Sequence, residues 1–325
     1  MKKLLSVILS LTFVILCFGG CNSTAKENKV YKIGIIQYIS HSSLDNCYNG
    51  IVSAFKDVKN VEFDRQIGSD ASAGSDCAAF AENMVAKNYD MIIAIATPAA
   101  QSAFAAVEST NIPVIFCAVN DPVQAELVES LEKPGYNCTG TSDVLDLSAQ
   151  LSLIQAMQPK AKNIGILYTT SEVNSISNLN RFKALAKECG LNIVDVGVQN
   201  DADIHSAAAN LVTKVDCINN FTDNNVVKNL SVVLEAANSA NIPVYGSEEE
   251  QVKKGCLASA SIDYVALGKV TGEMALEVKN GANPADMAVK TINEAVPIVN
   301  TDVLNSLGIM MPGEYENAQT VTTEK

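Results

Sequence analysis

The stretch YDMIIAIATPAA, residues Tyr89–Ala100, decides the predicted fold. Its apolar centre, Met91–Ala96, is the short run typical of a strand buried on both faces of a parallel sheet. Thr97 and Pro98 follow at once, as a helix N-cap and a first helical residue, and mostly helix-forming residues come after them. The stretch therefore predicts a buried strand that runs directly into a helix. A hydroxyl group and free backbone N–H groups at this junction suit an anionic group such as a carboxylate.

From Val30 onward, apolar strand-like runs alternate with amphipathic helices in the same way. This alternation predicts parallel βαβ units and an α/β fold with doubly wound sheets. Ligands of such sheets bind outside the carboxyl ends of the strands, which are followed here by polar loops. After Asp121 and Pro122, the pattern also predicts a short helix over Val123–Glu132.

Two halves of the chain repeat this pattern in register. The sequence NIP at Asn111–Pro113 recurs at Asn241–Pro243, and in the same register Thr97 stands opposite Asp223. Shared landmarks at a constant offset indicate a duplication. The sequence therefore predicts two similar Rossmann-like lobes whose polar strand ends face each other.

The remaining residues are too few for a third domain, so we expect the chain to cross between the lobes three times. The crossings are predicted near Asp143, Asp263 and Pro297, each at a strand end. Lobe 1 then consists of residues 30–142 and 264–296, and lobe 2 of residues 143–263 and 297–325.

The N-terminus has the pattern of an export signal. Two lysines follow Met1, Leu4–Phe18 is apolar and too short for a bilayer span, and two glycines precede Cys21. Small residues before a cysteine resemble the lipobox of bacterial lipoproteins, so we expect residues 1–20 to be removed and Cys21 to be lipidated. Residues 21–29 form a polar tether to the outer face of the cell membrane. The alternative is a plain cleaved signal with an incidental cysteine.

Composition excludes several classes of protein. The 325 residues are 48% hydrophobic and 18% charged, which is typical of a globular chain. The net charge of −13 argues against nucleic acid as a partner. Apart from Cys17 and Cys21, seven scattered cysteines show neither a metal-binding spacing nor a disulfide framework.

Signatures of catalysis are missing from the sequence. There is no GxGxxG, GxxxxGK, GxSxG or HExxH motif, and only two histidines are present. His205 lies in a helical pattern and is interpreted as a surface residue, while His41 lies in a strand-end loop. The sequence therefore predicts a binding protein, with no enzyme activity, no cofactor and no metal.

The candidate ligand-binding residues are the polar and aromatic residues of the strand-end loops. In lobe 1 they are Gln37, Ser40, His41, Ser42, Thr97, Pro98, Asp121, Ser142 and Asp143. In lobe 2 they are Ser171, Glu172, Asn174, Ser175, Phe221, Thr222, Asp223, Asn224, Ser247 and Glu248.

These residue types suit a small zwitterion. Helix N-termini behind Thr97 and Ser171–Ser175 provide a site for a carboxylate, while Asp223, with Glu248, provides one for an ammonium group. Thr97, Thr222 and Asp223 have an alternative role as helix caps, and for Thr97 capping alone and capping combined with ligand binding remain open. The ligand side chain is expected against one of four aromatic residues, of which the first two are favoured by neighbouring polar loop residues: Tyr38, Phe221, Phe116 and Tyr264.

The chain resembles a known family along nearly its whole mature length: the solute-binding lipoproteins of ATP-binding-cassette importers, in the branch associated with tryptophan and other aromatic amino acids. The matching residues include IGIIQYISHSSLD (Ile33–Asp45), IATPAAQ (Ile95–Gln101), IPVIFCAVNDPV (Ile112–Val123), FTDNN (Phe221–Asn225) and IPVYGSEEE (Ile242–Glu250). The family loop usually reads HPALD, and Ser42-Ser43 replaces its Pro-Ala. Phe221 stands where a small residue or proline is expected.

The resemblance implies a type I periplasmic-binding-protein fold with three hinge crossings, and lobes that close on a ligand and present it to a membrane permease. The ligand is then tyrosine, phenylalanine or tryptophan. The alternative function is a surface-exposed adhesin or receptor module on the same lobes. The export signal argues against a gene regulator.

Overall fold

A computed structural model of the chain describes residues 29–69, 72–292 and 295–324. The predicted signal segment, Cys21 and the tether up to residue 28 lie outside the described residues. None of the helices in these ranges combines the length and the apolar character needed to cross a bilayer.

The first sheet has six parallel strands and forms the centre of lobe 1. Its strands are β1 (Tyr31–Gln37), β2 (Val61–Ile67), β3 (Met91–Ile95), β4 (Val114–Cys117), β5 (Cys138–Ser142) and β11 (Lys290–Thr291). They lie in the order β11-β5-β4-β3-β1-β2, and every neighbouring pair is parallel. All five residues of β3 are fully buried, as its continuous apolar run predicts.

Four helices flank this sheet: α1 (Ser42–Ala54), α2 (Ala73–Ala86), α3 (Thr97–Val107) and α10 (Tyr264–Lys279). Helix α10 comes from late in the sequence and packs closely against α1. A Cβ atom added at Gly268 would lie 2.1 Å from the backbone oxygen of Cys47, so this close approach requires glycine. The contact fixes the start of α1 relative to the crossing segment.

The second sheet repeats the topology of the first. Its parallel strands β6 (Asn163–Thr169), β7 (Asn192–Val198), β8 (Cys217–Asn219) and β9 (Val244–Tyr245) lie in the order β7-β6-β8-β9, which matches β2-β1-β3-β4. Its helices are α4 (Leu147–Met157), α5 (Val173–Glu188), α6 (Asp201–Leu211), α7 (Asn224–Lys228), α8 (Leu230–Ala240) and α9 (Glu249–Lys253). The matching strand orders agree with the repeated sequence pattern.

A three-stranded sheet completes lobe 2. Strands β10 (Ala258–Ser261), β12 (Val296–Asn300) and β13 (Gln319–Val321) lie in that order, with β10 and β12 antiparallel. Helix α11 (Thr301–Ser306) follows β12, and two 3₁₀ turns cover Pro284–Asp286 and Gly313–Tyr315. The Leu257 N–H donates to the Val244 oxygen (2.7 Å), so the small sheet continues from β9.

The chain passes between the two sheets at three places. It leaves β5 after Ser142, and it passes from β10 to α10 through Asp263, whose carboxylate caps α10 by accepting from Val265 N (2.9 Å). It returns between β11 and β12. Pro297, predicted as the third strand end, instead lies inside β12 opposite Ala260.

The predicted helix over Val123–Glu132 does not form. Ala125 N donates to the Asp121 oxygen and Leu127 N to the Pro122 oxygen, but Glu126 between them adopts a positive φ of 59°. A left-handed residue ends helical propagation, so this segment consists of turns. All seven cysteines within the described ranges are free thiols, and only Cys189 is exposed.

Candidate functional site

The strand-end loops of the two sheets enclose a small cavity at the lobe interface. Its lining residues are His41, Ser43, Leu44, Ala96, Thr97, Ala118, Asn120, Asp143, Asn174, Thr222, Asn224, Val227, Glu248 and Tyr264. The free volume at its centre is about 20 Å³, enough for one water molecule. An amino acid therefore fits only if the lobes or the side chains move apart.

Thr97 presents its hydroxyl group to this cavity without capping α3. The N-cap position belongs to Ala96, which has φ 81° and ψ 154°, and Thr97 is the first residue of the helix. Its Oγ1 is buried and has no hydrogen-bond partner among the described residues. A buried hydroxyl without a partner costs free energy, so its position favours a hydrogen bond to a ligand.

The loop after β1 brings His41 and Ser43 to the same wall. His41 occupies the N-cap of α1 without a side-chain cap, and both ring nitrogens are buried with no partner in the described part of the chain. Burial lowers the pKa of His41 to about 4, so the ring is neutral at pH 7. Ser43 Oγ is likewise buried and unpaired within the described ranges. The start of α1 is therefore a second polar wall of the cavity.

The first crossing supplies a buried carboxyl group from Asp143. Its Oδ2 accepts a hydrogen bond from the Tyr264 hydroxyl (2.8 Å), while Oδ1 has no partner among the described residues. The Asn120 amide donates to the Asp143 backbone oxygen (3.1 Å) and holds the crossing against the end of β4. Burial raises the pKa of Asp143 to about 6.

Glu248 supplies a second carboxyl group from lobe 2. It precedes α9, is 2% exposed, and its Oε1 has no hydrogen-bond partner in the ranges that the structure describes. Burial is the main cause that raises the pKa of Glu248 to about 7. No lysine or arginine of the described chain lines the cavity, so its charge is negative or neutralised by protons.

Asp223 has a different environment from the one expected. Its carboxylate accepts four hydrogen bonds: from Thr169 N (2.6 Å), Thr169 Oγ1 (2.8 Å), Ser175 Oγ (2.7 Å) and Val226 N (2.9 Å). It caps α7 and ties that helix to the end of β6. With four protein donors already in place, Asp223 lies behind the cavity, and its neighbours Thr222 and Asn224 form the lining.

Glu172 lies between this cavity and a more open neighbouring cleft. Its Oε2 accepts from the Asn174 amide (3.0 Å) and from the Asn224 amide (2.7 Å), and both of these residues line the cavity. Glu172 itself lines the cleft, together with Ser171 and Tyr38. Burial, followed by the nearby Asp223 charge, raises the pKa of Glu172.

Phe221 belongs to the core of lobe 2. It is 1% exposed, and its ring meets that of Phe182 edge to face, with centroids 5.4 Å apart. Such a pair is a stable core contact. The aromatic contact that the sequence predicted at Phe221 is therefore not available to a ligand, whereas Tyr264 lines the cavity.

The predicted residues divide into three groups. Those that line the cavity are His41, Thr97, Asp143, Asn174, Thr222, Asn224 and Glu248. Ser171 and Glu172 line the neighbouring cleft. Those outside both linings are Gln37, Ser40, Ser42, Pro98, Asp121, Ser142, Ser175, Phe221, Asp223 and Ser247.

Most of the last group have protein partners that explain their position. Gln37 bonds Arg65 (2.6 Å) and Asp45, whereas Ser142 and Ser247 donate to the backbone oxygens of their neighbouring strand ends, Asn120 and Asn220. Ser40 is exposed, and Ser42 and Pro98 are partly exposed.

Asp121 makes a contact between the lobes. Its carboxylate accepts a hydrogen bond from Ser177 Oγ on α5, at 2.6 Å. Asn120 and Asn174, close in sequence to these two residues, line the cavity. The Asp121–Ser177 bond therefore joins the lobes directly beside the cavity.

Sequence reasoning missed Ser43 and Asn120, which are the direct neighbours of the predicted Ser42 and Asp121. In each case the lining residue lies one place along the chain from the predicted one. Helical periodicity offers a signal for Ser43, because it lies four residues before Cys47 on the buried face of α1.

Fold and site together define a two-lobed binding protein with a ligand cavity at the lobe interface. The family model for ABC transporter substrate binding proteins matches residues 32–321, and the chain belongs to this family. A curated relative, the tyrosine-binding protein of Clostridioides difficile (strain R20291), is 37% identical over 322 residues, covering 94% of this chain and 92% of the relative.

Solved structures with the fold of type I periplasmic binding proteins match closely. A Streptococcus pneumonia ABC domain in complex with L-Trp is 36% identical, covers 89% of this chain and 99% of that one, and has a TM-score of 0.85. The ligand-free, open structure of a substrate-binding protein with adhesive properties from Clostridium difficile is 38% identical, covers 91% and 100%, and has a TM-score of 0.68.

These two solved structures are equally similar to the chain in sequence but differ in how well their shapes match it. Identity and coverage are nearly equal, yet the TM-score is lower for the open structure. The arrangement of the lobes here is therefore closer to that of the L-Trp complex than to that of the open structure. The narrow cavity agrees with a closed arrangement.

Proposed function

We propose that this chain captures tyrosine, phenylalanine or tryptophan between its closing lobes and delivers it to the permease of an ATP-binding-cassette importer. The observation that carries the proposal is the cavity itself, in which carboxyl groups without a basic partner face hydroxyl groups and helix starts. The names of the tyrosine-binding relative and of the L-Trp complex support an aromatic amino acid.

The proposed contacts differ from those first assigned. The ammonium group binds the carboxyl groups of Asp143 and Glu248, because Asp223 already accepts four protein hydrogen bonds. The carboxylate binds Thr97 Oγ1 and the start of α3, where the helix dipole favours negative charge. No catalytic step or cofactor belongs to this proposal.

Calorimetry on ligand-stripped protein tests the proposal. We expect one site per chain with at least one of the three aromatic amino acids, and no heat with leucine or with a sugar at the same concentration. Native mass spectrometry of the purified protein should show a co-purified mass of the same ligand. Absence of heat with all three aromatic amino acids would contradict the proposed ligand class.

The proposal includes export and a lipid anchor at Cys21, with lobe 1 formed by residues 30–142 and 264–296 and lobe 2 by residues 143–263 and 297–325. Metabolic labelling with palmitate in a bacterial host tests the anchor. Cys21→Ala should lose the label and leave the membrane fraction, whereas Cys189→Ala, which changes an exposed cysteine of lobe 2, should keep both. Equal labelling of the two variants would contradict the anchor.

A second function, adhesion to a host surface, is favoured by the adhesive properties named for the relative from Clostridium difficile. It predicts binding of the purified chain to host cells that is unaffected by changes in the cavity. Thr97→Val protein, tested beside the wild type for cell binding and for ligand binding, separates the two functions. If Thr97→Val protein lost cell binding together with ligand binding, adhesion would depend on the cavity.

A further inference from the structure

Two buried carboxyl groups line the cavity without a basic partner, and a third lies between the cavity and the neighbouring cleft. Asp143, Glu172 and Glu248 are at most 3% exposed, and each leaves one carboxyl oxygen without a partner among the described residues. They come from three separate strand-end loops. Asp143 and Glu248 both line the cavity, and no lysine or arginine of the described ranges lines it with them.

A buried carboxylate without a counter-charge is costly, and a protein avoids the cost by keeping the proton. Two such groups in one cavity, Asp143 and Glu248, increase the cost, because each negative charge disfavours the other. Tyr264 lies close to both Asp143 and Glu248. Its hydroxyl donates a hydrogen bond to Asp143, and its pKa is raised first by burial and then by the charges of both carboxyl groups.

The groups around Glu248 do not remove this cost. Ser43 and Cys47 face it from α1, Tyr264 from α10, and Glu250, Gln251, Lys254 and Cys256 from its own segment. Lys254 is the only cation in this set, and it is exposed at the end of α9. His41 nearby is neutral at pH 7, so charge balance at Glu248 must come from a proton or from a ligand.

We propose that ligand capture is coupled to proton release: an ammonium group of the ligand replaces the proton held by Glu248 in the ligand-free protein. The carboxyl O–H bond breaks, the proton passes to solvent, and the carboxylate pairs with the ammonium group. This inference rests on the proposed function and adds to it that the ligand must carry a primary amine. It also makes the affinity depend on pH.

The direction of the pH dependence follows from the linkage between proton and ligand binding. With the Glu248 pKa at about 7 in the ligand-free protein, about half a proton leaves per ligand at pH 7, and nearly one at pH 6. Through this group, affinity for the amino acid should therefore rise about 25-fold between pH 5.5 and pH 7.5.

The free energy of unfolding of the ligand-free protein should fall as pH rises, whereas the affinity for the ligand rises. Because the pKa of Glu248 is raised in the folded protein above its ordinary value of 4.5, the folded state binds the proton more tightly. The contribution of this group to stability is then lost as pH rises through the interval from about 4.5 to about 7.

Calorimetry of the ligand-stripped full chain with L-tyrosine, in phosphate and in imidazole buffer at pH 6, 7 and 8, measures the released proton. We expect the heat to differ between the two buffers at pH 6 and 7 and to converge at pH 8. The deaminated analogue 3-(4-hydroxyphenyl)propionate should bind at least a hundredfold more weakly. If L-tyrosine does not bind, L-phenylalanine and L-tryptophan replace it as probes.

Glu248→Gln removes the titrating group while keeping its size. We expect it to bind about tenfold more weakly at pH 7, with almost no difference in heat between buffers at that pH and a flatter dependence of melting temperature on pH. Asp143, whose pKa is about 6, accounts for the proton that is still released at pH 6. Glu249→Gln is the matched control, since Glu249 is the next residue, is 35% exposed and pairs with Lys253. It should behave as the wild type.

Three results would overturn the inference. Equal heats in both buffers for wild-type protein at all three pH values would exclude proton release, even if the variants do not fold. A buffer difference at pH 7 as large in Glu248→Gln as in the wild type would remove the assignment to Glu248. Failure of all three amino acids to bind would overturn the proposed function as well, which distinguishes it from failure of this inference alone.

Discussion

The two corresponding strand-to-helix junctions, β3 to α3 and β8 to α7, use their polar residues in opposite ways. At the first, Thr97 leaves its hydroxyl group unpaired within the described chain, facing the cavity. At the second, Asp223 gives its carboxylate to four protein donors and stabilises the lobe itself. The first junction leaves its polar group available for a ligand, whereas the polar group of the second junction stabilises the fold.

The difference comes from a shift of one residue. Asp223 occupies the N-cap of α7, where a side chain reaches the backbone N–H three residues later. Thr97 is already the first residue of α3, and Ala96 occupies the N-cap. Thr97 therefore corresponds to Asn224 rather than to Asp223, and these two residues both line the cavity. The contrast of carboxylate and ammonium preference inferred from the sequence does not hold at these two positions.

Asp223→Ala should have the largest effect and would test the structural role of the second junction. It removes four hydrogen bonds and leaves the backbone N–H groups of Thr169 and Val226 buried without partners. We expect the free energy of unfolding to fall by about 3–5 kcal/mol, measured by urea denaturation of ligand-free protein.

Asp223→Asn is the matched control for this change. The amide oxygen still accepts from Val226 N, so the loss should be about half as large. If Asp223→Ala were as stable as the wild type and lost only ligand binding, Asp223 would bind the ligand as Thr97 is proposed to do, and the contrast between the junctions would be wrong.

Phe221→Leu tests the residue that precedes the second junction. Loss of the edge-to-face contact with Phe182 and of part of the buried volume should lower the free energy of unfolding by about 1–2 kcal/mol. The dissociation constants for tyrosine, phenylalanine and tryptophan should all stay within twofold of the wild type. A changed preference among these ligands at unchanged stability would place Phe221 in the binding site.

Thr97→Val tests the first junction with almost no change in shape. Removing an unpaired buried hydroxyl should leave ligand-free stability unchanged or raise it slightly, while affinity falls about tenfold through loss of one hydrogen bond to a charged group. Thr110→Val, just beyond the same helix, is the control. Thr110 Oγ1 donates to the Val107 oxygen (3.0 Å), so this variant should lose stability and keep its affinity.

Ser177→Ala should have the smallest effect, because it removes the single Asp121–Ser177 bond between the lobes. A bond made only when the lobes are closed adds about 1 kcal/mol to the closed state, so dissociation should become about fivefold faster. Stopped-flow fluorescence or ligand exchange measures this rate. Ser206→Ala, which removes a bond within lobe 2, should have no effect, and an unchanged rate in Ser177→Ala would exclude the contact from closure.

Much of the fold was predictable because its signals are local. The buried run Met91–Ile95 and the recurring NIP landmarks predict parallel strands and a duplication, and the two sheets share one strand order. The turn segment after Asp121 was not predictable in the same way. Its left-handed Glu126 lies within Val123–Glu132, which contains neither glycine nor proline, so the local sequence gives no signal for this turn.

The site was predictable in its location and only partly in its residues. Strand-end position predicts His41, Thr97 and Glu248, and the structure places all three at the cavity. It does not distinguish them from Asp223, whose main partner Thr169 lies 54 residues earlier in the chain. Whether a polar side chain is free or already paired depends on contacts between distant segments, and a single sequence does not encode these in its local pattern.

Two alanines, Ala96 and Ala118, show how rigid one wall of the site must be. Both line the cavity with positive φ angles, 81° and 55°, which cost a residue with a Cβ atom about 1–3 kcal/mol each. Neighbouring strands impose these angles, for example through the bond from Ala96 N to the Cys117 oxygen (2.9 Å). The backbone of this lobe 1 wall is therefore fixed before a ligand arrives, so capture requires no ordering of Ala96 or Ala118.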